Sequence, residues 1–209
     1  MTKPEPGFPG GIKPLTFLSG GWLLIMASDR LAHAVIVTVA MVWVFCFTSL
    51  IAFVSVRIFP LRGRTALLTF IGSFFTGIFL LLLWLFSPLC AMETFFTVSI
   101  VPLLCMGSGV YKESEAGDAM DIMYASAQEA LSIGVPIMIF SLIREPVGYA
   151  ALSLPGGSQG MVFLFSYDTE SLLPIRLVTS SSGTLLLLGY FGGLYRKVRA
   201  SRQLQGGEQ

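Results

Sequence analysis

The chain has 209 residues, of which 54% are apolar and 12% charged, and its net charge is +1. An ordinary soluble domain carries about a quarter charged residues, so this composition excludes one, and the near-zero charge gives no electrostatic footprint for nucleic acid. A single His excludes a multi-histidine metal site built by this chain alone.

Residues 1–14 are rich in Pro and Gly and predict an irregular tail. The first apolar segment, near 15–28, is short and carries Gly20-Gly21. Read as a signal peptide, Lys3 and Lys13 form the basic region and Ala32-His33-Ala34 the cleavage site. Gly20-Gly21 inside the apolar core, and Asp29-Arg30 directly before the cleavage site, count against that reading. The second segment runs from about Leu31 to Phe59, and the third from Thr65 to Phe86, stopped by Pro88. The fourth, near 94–111, carries Pro102 and Gly107-Ser108-Gly109. The fifth covers about Ala119 to Ile143 and the sixth about Ser171 to Tyr195. A span needs about 20 apolar residues, so the shorter, Gly-bearing runs read as broken or re-entrant.

The pattern is doubled. Ser19-Gly20-Gly21 precedes a long helix ending at Arg57-Ile58-Phe59-Pro60, and Gly107-Ser108-Gly109 precedes one ending at Arg144-Glu145-Pro146. Each half then adds one span. Because three is odd, the halves must have opposite orientation. The sequence predicts an all-α integral membrane fold of six transmembrane segments, with broken first and fourth helices. The membrane domain spans 15–196 as two inverted three-helix repeats, about 15–88 and 94–196. A basic, polar tail follows at 197–209. Inverted repeats with Gly-interrupted segments point to a site near the bilayer midplane, although small residues also let helices pack closely.

The basic residues set the orientation. Lys3 and Lys13, then Arg57, Arg62 and Arg64, then Arg196, Lys197, Arg199 and Arg202 fall on one side after six crossings. The positive-inside rule makes that side, with both termini, cytoplasmic. The loops around Glu93 and at about 147–170 have no Lys or Arg and fall outside.

Glu129, beside Gln128, lies inside the fifth segment, and an ionisable residue within a span is a functional candidate by default. It also reads as a packing element paired with Arg30 or Lys112. Arg144 and Glu145 are expected to pair with each other or to snorkel to the interface. Asp29, Arg30 and His33 read as solvated interfacial groups. Cys46, Cys90 and Cys105 show no metal-ligand spacing, and their odd number argues against a disulfide framework. The chain has no P-loop, no GxGxxG after a strand and no HExxH.

From Pro102 to Gly148 the chain reads VPLLCMGSGVYKESEAGD around Pro102, then a helix with small residues, then SLIREPVG. This resembles the six-span membrane subunits of the Rnf and Nqr complexes, whose pattern is approximately IPLIVVNCAIIGRAEAFA followed by AIREILG. Pro102-Leu103, Glu115-Ala116, Arg144-Glu145 and Gly148 fall in register. The resemblance implies a subunit of a redox-driven ion pump in a bacterial inner membrane. Its partners would be a homologous six-span subunit and flavin-bearing and iron-sulfur subunits. It further implies an ion or electron path lined by Gly21, Gly107, Gly109, Glu115, Glu129, Arg144 and Glu145. In that family, cysteines in the broken segments of two partner subunits hold a shared [2Fe-2S] cluster. Here Trp22 and Ser108 stand where those cysteines are expected, and Cys105 lies one helical turn before Ser108. The cluster ligands are therefore missing from the family positions. Two rival readings are a stand-alone secondary transporter or small-molecule uptake component, and a scaffold subunit without a cluster.

Overall fold

The computed structural model describes residues 25, 28–56, 61–107, 119–156, 160–166, 180, 182–187, 189, 190 and 193. Gly20, Gly21, Trp22, Ser108, Gly109, Glu115 and most of the expected sixth segment lie outside them. Helix α1 spans Leu31–Val56 and α2 Leu61–Phe86. Helix α3 spans Pro88–Ser99, α4 Val101–Gly107 and α5 Ala119–Tyr149. Strands β1 (Ala151–Pro155) and β2 (Met161–Ser166) form an antiparallel hairpin.

Among the described residues, four stretches are long and apolar enough to cross a membrane: Leu31–Ser55, Ala66–Phe86, Pro88–Met106 and Ala119–Tyr149. At 1.5 Å per residue they reach about 37, 31, 28 and 46 Å, against a hydrocarbon layer of about 30 Å. The architecture is a membrane-spanning helical bundle.

Helix α1 is its axis, antiparallel to α5. Thr38 Oγ1 donates to the carbonyls of Ala34, at 2.8 Å, and Gly134, at 3.4 Å. Cys46 Sγ reaches the Met123 carbonyl at the other end. The contact at Gly134 is close because it has no side chain: a Cβ there would lie 2.9 Å from Thr38 Oγ1 and closer still to its methyl. On the other side α1 meets α2 through Phe47 stacked on Phe75 at 5.0 Å. The core lies where α1 faces α3, α4 and α5, around Val37, Met41, Phe45, Val98, Cys105 and Ile137. In lipid such contacts hold by dispersion and close fit, since the tails are as apolar as the side chains. By contrast, only 17% of the α2 window is buried, and it turns Phe70, Phe74, Leu81 and Leu85 outward.

Three sequence expectations change. The fourth segment begins at Pro88 rather than near 94, because Ser87 alone separates α2 from α3 and Pro88 opens the new helix. Glu93 therefore sits on a helix, not in a loop. The span is interrupted at Ile100, two residues before Pro102. Pro102 has no amide hydrogen to continue the ladder, and the Leu103 amide bonds instead to the Ile100 carbonyl. Finally, the fold is not all-α: part of the expected 147–170 loop is the β1–β2 hairpin. Helix α5 runs past Ile143 to Tyr149, and Ala150, at φ 51°, turns the chain from helix into strand. The left-handed position closes the helix as a C-cap, and a non-Gly residue there costs about 1–2 kcal/mol. At the hairpin tip the Gly156 amide donates to the Gly160 carbonyl at 2.7 Å.

Candidate functional site

The start of α1, the end of α5, the first turns of α3 and strand β1 meet at one end of the bundle. Among the described residues, this end holds the buried charged side chains Arg144 and Glu145 and the buried His33. Ile25 is helical, residues 28–30 are not, and α1 starts at Leu31. A helix break leaves carbonyls before it and amides after it without partners, which costs several kcal/mol per group away from water.

Adjacent residues of α5 close this break from both sides. Arg144 Nη1 donates to the carbonyls of Ile25 and Ser28, both at 3.3 Å. Glu145 Oε2 accepts from the Leu31 amide at 2.9 Å. Its Oε1 accepts from Ser153 Oγ of β1 at 2.5 Å. Both charged residues are 1% exposed, and Ser153 is fully buried. Ser28 and Ser141 hydroxyls add a bond at 2.8 Å. The placement suits the helix dipole: a cation faces carbonyls and an anion faces the first amide of α1. The expected snorkelling of Arg144 and Glu145 is corrected: both point inward, because the broken backbone supplies partners that water would otherwise supply.

Beside the break stands a second cluster. His33 Nδ1 lies 2.9 Å from Asp29 Oδ1, and Nε2 lies 3.1 Å from Glu93 Oε2. Asp29 Oδ2 accepts from the Tyr149 hydroxyl at 3.1 Å. The Arg30 guanidinium lies over the Tyr149 ring at 5.2 Å and near the Phe163 ring at 5.9 Å. Burial pushes the Asp29 carboxyl up, but the His33 and Tyr149 hydrogen bonds and the His33 and Arg30 charges outweigh it. They hold it below its ordinary value of 3.8. Exposure falls from Glu93 (51%) through Asp29 (34%) to His33 (10%), so the ring is the inner member. The reading of His33 as a solvated group is thereby corrected, while Asp29 and Arg30 remain partly exposed. What the sequence missed is Glu93, whose position on α3 brings it onto a residue 60 positions earlier. The i,i+4 spacing of Asp29 and His33 was the available signal.

The remaining candidates lie apart from this end. Glu129 is 5% exposed on α5, about 24 Å along the helix from Glu145. Pairing with Arg30 is excluded, since Arg30 sits against Tyr149 at the helix's far end. Cys105 is buried in the apolar core on α4, and Gly107 is the last residue of that helix. None of the three cysteines is in a disulfide. Among the described residues no group of three or more His, Cys, Asp or Glu side chains could hold a metal ion. Trp22 and Ser108, which the resemblance sets where cluster ligands are expected, carry no thiolate, so these residues do not fit a [2Fe-2S] cluster. No family model matches the chain, and no match is found among curated proteins.

Proposed function

We propose that this protein is a small membrane carrier that moves a solute by alternating access around the broken end of α1. The observation that carries the reading is the fully buried Arg144–Glu145 pair closing a helix break inside a spanning bundle. Ionisable groups buried among spans mark ion and substrate paths, and interrupted helices present the free backbone groups that carriers use for binding. A pair of chain ends tied by side chains, rather than by a continuous helix, can be untied without breaking a helix. The donor set also favours solute over electron transfer, since thiolates are missing where the resemblance asks for them. The orientation follows from the basic residues: termini in the cytoplasm of a bacterial inner membrane, hairpin and polar end outside.

Reconstitution tests this directly. Proteoliposomes on a solid-supported membrane are perfused with panels of amino acids, nucleobases, sugars and simple salts. A saturable current or uptake, lost in Arg144→Leu, is the expected result. No response to any panel, together with flavoproteins co-purifying on a C-terminal tag, overturns it. That outcome supports the second reading, a cluster-less subunit of an Rnf/Nqr-like complex with a homologous six-span partner. The register of Pro102-Leu103, Glu115-Ala116, Arg144-Glu145 and Gly148 favours that reading.

A further inference from the structure

We propose that Asp29, His33 and Glu93 form a proton-binding site that joins α1 to α3, and that this proton drives the transport proposed above. The coupling half of the proposal rests on the carrier reading; the site itself does not.

The argument starts from hydrogen-bond chemistry. Both ring nitrogens of His33 face carboxylate oxygens, Asp29 Oδ1 at 2.9 Å and Glu93 Oε2 at 3.1 Å. An ionised carboxylate only accepts, and a neutral imidazole has one N–H. Both contacts are satisfied together only when the ring carries two protons. Loss of one proton leaves a ring nitrogen lone pair opposite a carboxylate, which is repulsive.

Which contact then breaks is decided by the surroundings. Asp29 is four residues before His33 on the same stretch of chain and is also held by the Tyr149 hydroxyl. Glu93 is half exposed and comes from another helix. The neutral ring therefore keeps its N–H on Asp29 and releases Glu93, and with it the first turns of α3. The charges facing the ring agree: both are carboxylates, Asp29 and Glu93, and the doubly protonated ring places a cation between them. The nearby cations Arg30 and Arg144 act on Asp29. Glu93 and Asp29 stand between solvent and the ring, as proton access requires. In the exchange the ring Nε2–H bond breaks, its electron pair stays on nitrogen, and the proton leaves to water, so that Glu93 stays ionised and is released.

The chain contains one His, so 15N-histidine labelling reports this ring alone. Protein purified through a non-histidine tag and placed in nanodiscs is titrated by NMR from about pH 5 to pH 9. The expected result is a ring with both nitrogens protonated on the acid side that loses one proton reversibly. Asp29→Asn and Glu93→Gln should each move the midpoint. A ring that keeps a single proton throughout, or a midpoint identical in all three proteins, overturns the site. Proton flux is read separately in pyranine-loaded proteoliposomes, where His33→Gln should fall to the level of empty vesicles. A titrating ring in vesicles that move no protons supports the site and overturns its role as the driving ion.

Discussion

Glu145→Ala tests whether the buried charge at the bundle end holds the chain break. The carboxylate accepts from the Leu31 amide at 2.9 Å and from Ser153 Oγ at 2.5 Å, and the residue is 1% exposed. Two bonds to an ionised acceptor contribute about 3–6 kcal/mol. Water cannot replace the lost acceptor without opening the break. For a chain of this size each kcal/mol moves the unfolding midpoint by about 2–4 °C, so the expected loss is ~6–24 °C. The assay follows the thiols of Cys90 and Cys105, both fully buried, with a dye that fluoresces on reaction as the protein is heated in detergent. Glu145→Gln keeps one carbonyl oxygen as acceptor and should lose roughly half as much. Ser153→Ala combined with Glu145→Ala should be no worse than Glu145→Ala alone, since both remove the same bond. A midpoint within about 2 °C of the wild type for Glu145→Ala would refute the reasoning, as would full additivity of the pair.

Gly134→Ala forces a methyl against Thr38 and should destabilise by about 1–3 kcal/mol; Thr38→Ser, which removes the nearer of the two crowded atoms and keeps Oγ, should restore part of the loss in the same thermal assay. The Asp29 carboxyl titrates below its ordinary 3.8, so the unfolded chain binds more protons between those two values. Its stabilisation is therefore fully present above the unfolded value and is lost as pH falls through the folded one. Midpoints measured from about pH 2 to pH 6 should drop on the acid side, less steeply in Asp29→Asn. Cys105→Ala should leave the iron and acid-labile sulfide of the purified protein unchanged; a loss of iron on that substitution would restore a displaced cluster.

Spans were legible because lipid asks only for length and apolarity, and the runs from Leu31, Ala66 and Ala119 meet both. A broken fourth segment was expected at Gly107-Ser108-Gly109, of which Ser108 and Gly109 lie outside the described residues; the interruption observed is at Ile100, where Pro102 lacks the amide hydrogen that would continue the ladder. The hairpin was not legible. Strand β2 exposes Val162, Phe163, Leu164 and Phe165 in succession, so no two-residue alternation betrays it, and the Gly-rich turn beside it reads as loop. The roles of Arg144 and Glu145 were equally hidden. Their sequence says only that charge ends an apolar run; the carbonyls and amide they serve lie 114 to 119 positions earlier.

That separation bears on how the protein is made. Helix α1 leaves the ribosome long before α5 exists, with the Leu31 amide and the Ile25 and Ser28 carbonyls still lacking their eventual partners. At about 5–20 residues per second the interval is roughly 6–24 s. Through that time the break must be sheltered by the insertion machinery or by interfacial water, and only the arrival of Arg144 and Glu145 lets the first half of the chain settle. Biogenesis therefore hinges on two residues near the end of α5. A nascent chain arrested before α5 should stay protease-sensitive between Ser28 and Leu31, whereas one arrested after the hairpin should not.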